Sequence, residues 1–255
     1  MVKGLDTFRK YFEEYENQYV LIGGAACDIV FESNETSFRA TRDLDMVLIV
    51  EALTPQFAEK FWTFIQDGKY RNKATNGGKP QFYRFDKPED DSYPKMIELF
   101  CRSNFKLREM TGITPIHIDD TVSSLSAILL NDDYYKVLQE GRFIANGFSV
   151  LRPEYLILFK AKAYLDMKHR RENDEKLDGK DMKKHKKDVL KIAAELLLKE
   201  MGNLPEMVKA DIDLFIADLE NDPFDDNSLK NYGLKNEEVI AVLKRVYDYK
   251  NGMDE

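Results

Sequence analysis

Residues 18–50 read QYVLIGGAACDIVFESNETSFRATRDLDMVLIV, and this stretch decides the fold of the first half of the chain. Its first apolar segment is interrupted by Gly23 and Gly24, after which small residues can open a helix. The run DMVLIV, which follows a polar loop, is apolar enough to be a buried strand. The stretch therefore predicts a strand, a helix and a second strand, with both glycines at the first strand–helix junction.

The flanking segments extend this pattern to a mixed sheet covered by helices. Aromatic residues at helical spacing predict a helix within residues 5–18, and a stripe of phenylalanines predicts another over residues 54–68. Two further strands are expected in NGGKPQFYRFD and YPKMIELFCR. The fold class predicted for this half is therefore α/β, or α+β by strand count.

The second half of the chain has a helical pattern. It begins at Thr121 and is interrupted only by a hairpin that we expect near RFIANGFSVL. Pro153 suits the first turn of a long helix. Three more helices are expected, over residues 180–200, 205–220 and 235–250. We place the boundary so that residues 1–150 form a sheet domain and residues 151–255 a C-terminal helical bundle.

Composition argues against several classes of protein. The 255 residues include 46 acidic and 38 basic side chains. The resulting net charge of −8 argues against a protein that coats nucleic acid without sequence preference. No apolar run approaches the roughly 18 residues of a membrane span, and the N-terminus is too polar for a signal peptide. We therefore expect a cytoplasmic protein without a membrane partner. Neither the cysteines (Cys27 and Cys101) nor the histidines (His117, His169 and His185) have the spacing of a zinc site.

Two aspartates, Asp43 and Asp45, open the apolar run DMVLIV. Residues i and i+2 of a strand point to the same face, so the two carboxylates are expected side by side. Two like charges at such a short distance repel each other, which is costly unless a cation bridges them or one carboxyl is protonated. Mg²⁺ uses such a pair together with phosphate oxygens. An isolated D-x-D also fits a polar strand edge in solvent.

Two other features have a functional and a structural interpretation each. Glu98 lies inside the apolar segment MIELF, where it either completes a metal site or marks the exposed face of an edge strand. Gly23 and Gly24 either let a phosphate approach the start of a helix or simply form a tight turn.

Charge is distributed unevenly in the second half. Residues 168–191 hold ten Lys or Arg and six Asp or Glu, whereas residues 205–228 hold eight acids and one lysine. The basic segment is either a solvated helix face or a surface for triphosphate or RNA, and the acidic one either a solvated face or a docking surface. Lys160 and Lys162 both interrupt the apolar stripe of the helix after Pro153, and position alone does not separate them.

Together, the Gly-Gly pair, the RATRDLD segment and the later acid resemble the polymerase-beta-like nucleotidyltransferase superfamily. The second half is similar to its AbiEii-type members, which include toxins of bacterial toxin–antitoxin systems, and the resemblance covers about residues 19–195. The matching motif positions are Arg39, Thr41, Asp43, Asp45, Pro153, Glu154, Lys160, Lys187 and Asp188. Lys180 and Asp181 match the spacing of the last, basic-acidic motif equally well.

The resemblance implies transfer of a nucleoside monophosphate from an NTP to an acceptor hydroxyl, with Mg²⁺ or Mn²⁺ as cofactor. Asp43, Asp45 and Glu98 would be the catalytic and metal-binding residues. The nucleotide would be bound by Gly23, Gly24, Arg39, Thr41, Lys160, Lys187 and Asp188, where Lys160 rather than Lys162 matches the motif. We expect RNA, specifically tRNA, as acceptor and an antitoxin protein as partner. The alternatives are a catalytically silent nucleotide-binding module of the same fold and a D-x-D metal-dependent glycosyltransferase.

Overall fold

The chain folds into two compact units. The computed structural model describes residues 2–74, 80–100, 131–172 and 179–248. The first unit comprises residues 1–131 together with 141–152, and the second residues 132–140 together with 153–255. Cys101, His117 and the first ten residues of the helical pattern expected from Thr121 lie outside the described residues.

The first unit is built on a mixed sheet. Its strands are β1 Tyr19–Ile22, β2 Asp43–Leu48, β3 Arg71–Ala74, β4 Pro80–Asp86, β5 Met96–Phe100, β6 Arg142–Ala145 and β7 Phe148–Leu151. They lie in the order β3-β4-β5-β2-β1-β7-β6. The β2–β5 and β1–β7 pairs are parallel and all other pairs are antiparallel. The predicted mixed α/β architecture is thus confirmed.

The helices of this unit are α1 Leu5–Phe12, α2 Gly23–Ser33 and α3 Pro55–Asp67. The helix that we expected within residues 5–18 is shorter, because Glu14 adopts a left-handed φ of 76° that a helix cannot continue through. Strand β3 was not predicted, since its sequence RNKA has no apolar alternation.

The expected hairpin is confirmed as β6 and β7. Its turn consists of Asn146 and Gly147, whose φ angles of 51° and 79° are both left-handed. Positive φ at both central residues is characteristic of the tight turn that suits the twist of two antiparallel strands. The hairpin joins the sheet where β7 pairs with β1.

One face of the sheet is covered by aromatic packing from α1 and α3. Tyr19 of β1 meets Phe8 of α1 with ring centroids 5.4 Å apart, and Phe85 of β4 meets Phe61 of α3 at 5.7 Å. Leu44 and Ile97 are in register with Phe85 across β2, β5 and β4, so they share this face. The residues that alternate with them therefore point to the opposite face.

That opposite face carries helix α2, which packs against β1, β2 and β7. The first residue of α2, Gly23, lies directly against the side chain of Asp45. Asp45 alternates with Leu44 along β2, so it points away from the aromatic layer. The acids of β2 and the start of α2 consequently share one face of the sheet.

The second unit is helical in its described part. Its helices are α4 Asp132–Gly141, α5 Pro153–Glu172, α6 Gly179–Glu195, α7 Glu206–Asn221, α8 Asp226–Lys230 and α9 Asn236–Tyr247. Helix α5 starts at Pro153 as predicted and packs against α6 and α7. At its N-terminus the buried Tyr247 of α9 donates a hydrogen bond to the carbonyl oxygen of Glu154, at 2.6 Å. Within the described ranges, no helix is both long and apolar enough to cross a membrane.

Candidate functional site

The three acids singled out in the sequence lie on one face of the sheet. Asp43 and Asp45 are the first and third residues of β2, and both side chains are half-buried. Glu98 of β5 is the direct register partner of Asp45 in the parallel β2–β5 pair. Register partners project to the same face of a sheet from strands that lie about 4.8 Å apart. The structure thus brings Glu98 beside Asp45, as a shared site requires.

The two glycines close this site from the side of helix α2. Gly23 has a left-handed φ of 68°, and a side chain added at its Cα would strike the Oδ2 atom of Asp45. A side chain added at Gly24 would lie 2.6 Å from the Oγ1 atom of Thr41. Only glycine leaves room for this approach, so the helix can begin beside Asp45 and Thr41.

The start of α2 is able to receive an anion. Its N-cap residue, Ile22, makes no side-chain hydrogen bond to the first turn. The amide groups and the dipole of a helix N-terminus favour negative charge. Arg39 lies four residues before β2 with its guanidinium 5.3 Å from the ring centroid of Phe38. Gly23, Gly24, Thr41 and the acids of β2 are therefore neighbours of one potential phosphate position.

Substitution of Gly23 by alanine is a sensitive test of this close approach. We expect it to destabilise the fold by more than the roughly 1–2 kcal/mol of a left-handed alanine, because the added methyl must also displace the Asp45 carboxylate. It should weaken Mn²⁺ binding for the same reason. Gly233 is the matched control, since its φ of 64° is similar but nothing lies within 4 Å of an added side chain. Thermal unfolding and a Mn²⁺ titration of both variants make the measurement, and equal losses in the two would contradict the close approach.

Sequence reasoning missed one residue of this face, Arg84 of β4. It is the register partner of Glu98 in the antiparallel β4–β5 pair, and its Nη2 atom forms an ion pair with Glu98 Oε1. The sequence indicates only that Arg84 and Glu98 lie on two consecutive predicted strands. The register that makes them neighbours was not available.

The donor set suits a hard divalent cation. In the part of the chain that the structure describes, no three His, Cys, Asp or Glu side chains stand close enough to hold a metal ion as they are. Mg²⁺ does not require three protein ligands, since proteins usually bind it with one or two carboxylates together with water and substrate phosphates. Asp45, with Asp43 and Glu98 on the same face, offers such carboxylates. The residues therefore fit Mg²⁺ or the chemically similar Mn²⁺.

In the helical unit, the structure brings together two other residues singled out in the sequence. The Nζ atom of Lys160 on α5 donates to Oδ2 of Asp188 on α6 at 2.8 Å, and the side chains are only 6% and 2% exposed. Lys162, the alternative to Lys160, is more exposed and lies 3.2 Å from Asp166 and 3.3 Å from Asp211. Both lysines are therefore paired, and Lys160, which matches the motif of the family that the sequence resembles, is the more buried of the two.

Lys187 faces a different partner from its neighbour Asp188. It is exposed, and its Nζ atom lies 3.5 Å from Asp225. Together with Lys183 and Lys186 it lines a cleft of about 420 Å³. Lys186 itself is buried and donates to Oδ2 of Asp222 at 2.8 Å. This hydrogen bond holds the pKa of the Asp222 carboxyl below its ordinary value, so the pairing contributes stability at neutral pH and is lost in strong acid.

The acidic segment 205–228 is not an unpaired surface. Four of its acids, Asp211, Asp218, Asp222 and Asp225, face lysines of the same unit, namely Lys162, Lys168, Lys186 and Lys187. The hydrogen bond from Lys168 to Asp218 raises the pKa of that lysine accordingly. The segment's charge therefore offers less to an external partner than the sequence count indicates.

Comparison of the chain with family models, with curated proteins and with solved structures finds no match. A function for the chain therefore rests on its own residues and on the motifs that resemble those of nucleotidyltransferases.

Proposed function

We propose that the protein is a metal-dependent nucleotidyltransferase, which transfers a nucleoside monophosphate from an NTP to an acceptor hydroxyl. The observation that carries the proposal is the register of β2 and β5, which sets Glu98 beside Asp45 on the face that also carries Asp43. The start of α2 adjoins this face, because Gly23 lies against the Asp45 carboxylate. Carboxylates for a cation and a helix N-terminus for a phosphate are what nucleotidyl transfer requires.

Each residue has a defined task in this proposal. Asp43 and Asp45 would hold the metal, and Glu98 would bind it too and accept the proton of the acceptor hydroxyl on a carboxylate oxygen. The hydroxyl oxygen forms a bond to the α-phosphorus, while the bond from that phosphorus to the β-bridging oxygen breaks. Pyrophosphate leaves with the electron pair. The bound divalent cation would neutralise charge on the phosphates during this exchange.

The remaining residues would position the triphosphate. Gly23 and Gly24 lie beside Asp45 and Thr41 at the start of α2. Arg39 is assigned to the triphosphate through the family resemblance. Lys160, Lys187 and Asp188 are assigned to nucleotide binding through the family resemblance. Positioning and charge neutralisation supply most of the rate enhancement in phosphoryl-transfer chemistry, so such contacts suffice without a covalent intermediate.

The decisive experiment incubates the protein with each α-³²P-labelled NTP, Mg²⁺ and total cellular RNA. We expect label in RNA and release of pyrophosphate, both dependent on the metal. Nucleotide binding without transfer to RNA, protein or small molecules would identify a silent module of the same fold. Consumption of a nucleotide-sugar, with no use of NTPs, would instead identify a glycosyltransferase.

We propose RNA, specifically tRNA, as the acceptor, docked along the basic segment 168–191. The structure changes how this must be tested, because Lys186 is buried against Asp222 and its loss would disturb the fold. The exposed lysines of α6 are the suitable targets, namely Lys183, Lys184 and Lys187. An antitoxin partner is also part of the proposal, and the pairing of Asp211 and Asp218 on α7 with lysines reduces the charge that this helix offers to it.

Neutralising Lys183, Lys184 and Lys187 to glutamine should weaken RNA binding and flatten its salt dependence. Each lost phosphate contact removes about 0.7 from the slope of log affinity against log salt for single-stranded RNA. The matched control removes three exposed lysines elsewhere in the same unit, Lys199, Lys230 and Lys244. A filter-binding titration at several salt concentrations gives both slopes. An unchanged slope in the first variant would refute RNA docking at this segment.

A further inference from the structure

A basic residue, Arg84, lies next to Glu98 on the neighbouring strand of the sheet. Arg84 on β4 is in register with Glu98 on β5, which is in register with Asp45 on β2. All three therefore project to the same face, about 4.8 Å from one strand to the next. The sheet thus places an arginine beside the third acid on the side away from the aspartates.

Arg84 holds Glu98 in a partly dehydrated ion pair. The Glu98 side chain is 13% exposed and that of Arg84 26%, and Nη2 of the arginine contacts Oε1 of the glutamate. The Nε atom of Arg84 is buried, and among the described residues it has no hydrogen-bond partner. A buried guanidinium N–H without an acceptor is costly, and a phosphate oxygen is the acceptor that guanidinium groups match best.

The ion pair also affects how a cation could bind here, since no three potential ligands form a preformed metal cluster among the described side chains. Asp43, Asp45 and Glu98 carry three negative charges on this face, of which Arg84 balances one. While Glu98 contacts the arginine, that carboxylate oxygen is not available to a cation. Metal binding through this oxygen therefore requires Glu98 to exchange partners.

We propose that Arg84 is a nucleotide-binding residue that serves as the counter-ion of Glu98 until metal and nucleotide bind. Glu98 exchanges Arg84 for the divalent cation, and the freed guanidinium of Arg84 exchanges Glu98 for oxygens of the triphosphate. Both charges are thus paired before and after loading. This inference rests on the proposed nucleotidyltransferase function and adds to it a residue and an order of events: metal and nucleotide each favour binding of the other.

The exchange predicts effects of opposite sign from a single substitution. In Arg84→Gln, Glu98 no longer has a competing cation, so Mn²⁺ alone should bind about fivefold more tightly. Binding of a nonhydrolysable α,β-methylene NTP in the presence of Mn²⁺ should become about tenfold weaker or more, since its guanidinium contact is gone. Damage to the fold would weaken both, so it cannot produce this pattern.

The measurement is calorimetric titration, first with Mn²⁺ and then with each of the four nonhydrolysable NTPs at saturating Mn²⁺. Arg71→Gln is the charge-matched control. Arg71 on β3 lies on the same face of the sheet as Asp43. The two residues are connected through the register partners Asp86 and Met96, so three strand spacings, about 14 Å, separate them. That distance exceeds the Debye length of about 10 Å at 0.1 M salt, so we expect little effect of this variant on either affinity. Arg84→Lys keeps the charge and should fall between wild type and Arg84→Gln.

The outcomes distinguish failure of the proposed nucleotidyltransferase function from failure of the proposed partner exchange. Wild-type protein that binds Mn²⁺ but none of the nucleotides would overturn the proposed function itself. Wild-type protein that binds both, with Arg84→Gln unchanged or weaker in both affinities, would overturn the exchange and leave the function standing. If Arg84→Gln fails to fold, as judged by thermal unfolding, the same comparison applies to Arg84→Lys: equal Mn²⁺ affinity and equal nucleotide affinity to wild type would refute the role of Arg84.

Discussion

Asp43→Asn and Asp45→Asn should each lower nucleotidyl transfer by about 10³-fold or more while leaving the fold intact. Each substitution keeps the shape of the side chain but removes a carboxylate charge from a face that holds Glu98 as well. Coordination of a catalytic cation is worth several kcal/mol of transition-state stabilisation, and about 4 kcal/mol corresponds to 10³-fold in rate. Since like charges no longer repel, the melting temperature of Asp43→Asn should stay at or above that of wild type.

The control for these variants is Asp91→Asn, which makes the same chemical change at a side chain that is 86% exposed. Turnover and thermal unfolding are measured for all three variants with the same NTP and acceptor. Wild-type turnover in both Asp43→Asn and Asp45→Asn would overturn the proposal at its centre. If one of the two variants loses its fold, the other decides by Mn²⁺ titration, in which it should bind the cation more weakly than Asp91→Asn does.

The local part of this site could be predicted from the sequence alone. The placement of Asp43 and Asp45 on one face follows from the two-residue period of a strand, and α2 begins at Gly23, directly after β1, as the apolar run and the glycine pair predict. Such features depend on neighbouring residues only. Helix boundaries could not be predicted as well. Helix α1 ends at Phe12 because Glu13 has an extended ψ of 132° and Glu14 a left-handed φ, and hydrophobic periodicity does not predict either angle.

The pairing of distant residues could not be predicted. Glu98 was expected near the aspartates, but its side of the sheet depends on the register of β5 against β2, which a shift of one residue would reverse. Arg84 was missed for the same reason, because its contact with Glu98 depends on the register of β4. A charged residue on a predicted strand has many potential partners until the neighbouring strand is known.

The charge segments of the helical unit illustrate the same limit. Residues 168–191 and 205–228 were correctly identified as basic and acidic, but net charge says nothing about which side chains meet. Packing of α5 and α6 against α7 and the turn that follows it pairs Lys168 with Asp218 and Lys186 with Asp222. Much of the apparent charge is therefore neutralised inside the unit, and the lysines suitable for an RNA test are fewer than the sequence indicated.

The buried Lys160–Asp188 pair should have the largest effect on stability of any pair considered. Replacing Lys160 alone by methionine leaves the Asp188 carboxylate, 2% exposed, without the lysine that donates to it at 2.8 Å. Removing one partner of a buried ion pair typically costs about 3–5 kcal/mol, which corresponds to a loss of more than about 10 °C in melting temperature for a unit of this size. Replacing Lys162, which is more exposed and shares two carboxylates, should cost clearly less.

The double variant Lys160→Met with Asp188→Asn separates the structural from the functional role of this pair. It removes both charges and nearly keeps the shape, so most of the lost stability should return, because no uncompensated charge remains buried. If Lys160 also contacts the nucleotide, as the family motif implies, the restored fold should still bind the nonhydrolysable NTP much more weakly than wild type. Thermal unfolding and nucleotide titration of the single and double variants provide both readouts. A double variant that regains stability and binds the nucleotide with wild-type affinity would show that the pair only supports the fold, and would remove Lys160 and Asp188 from the nucleotide site.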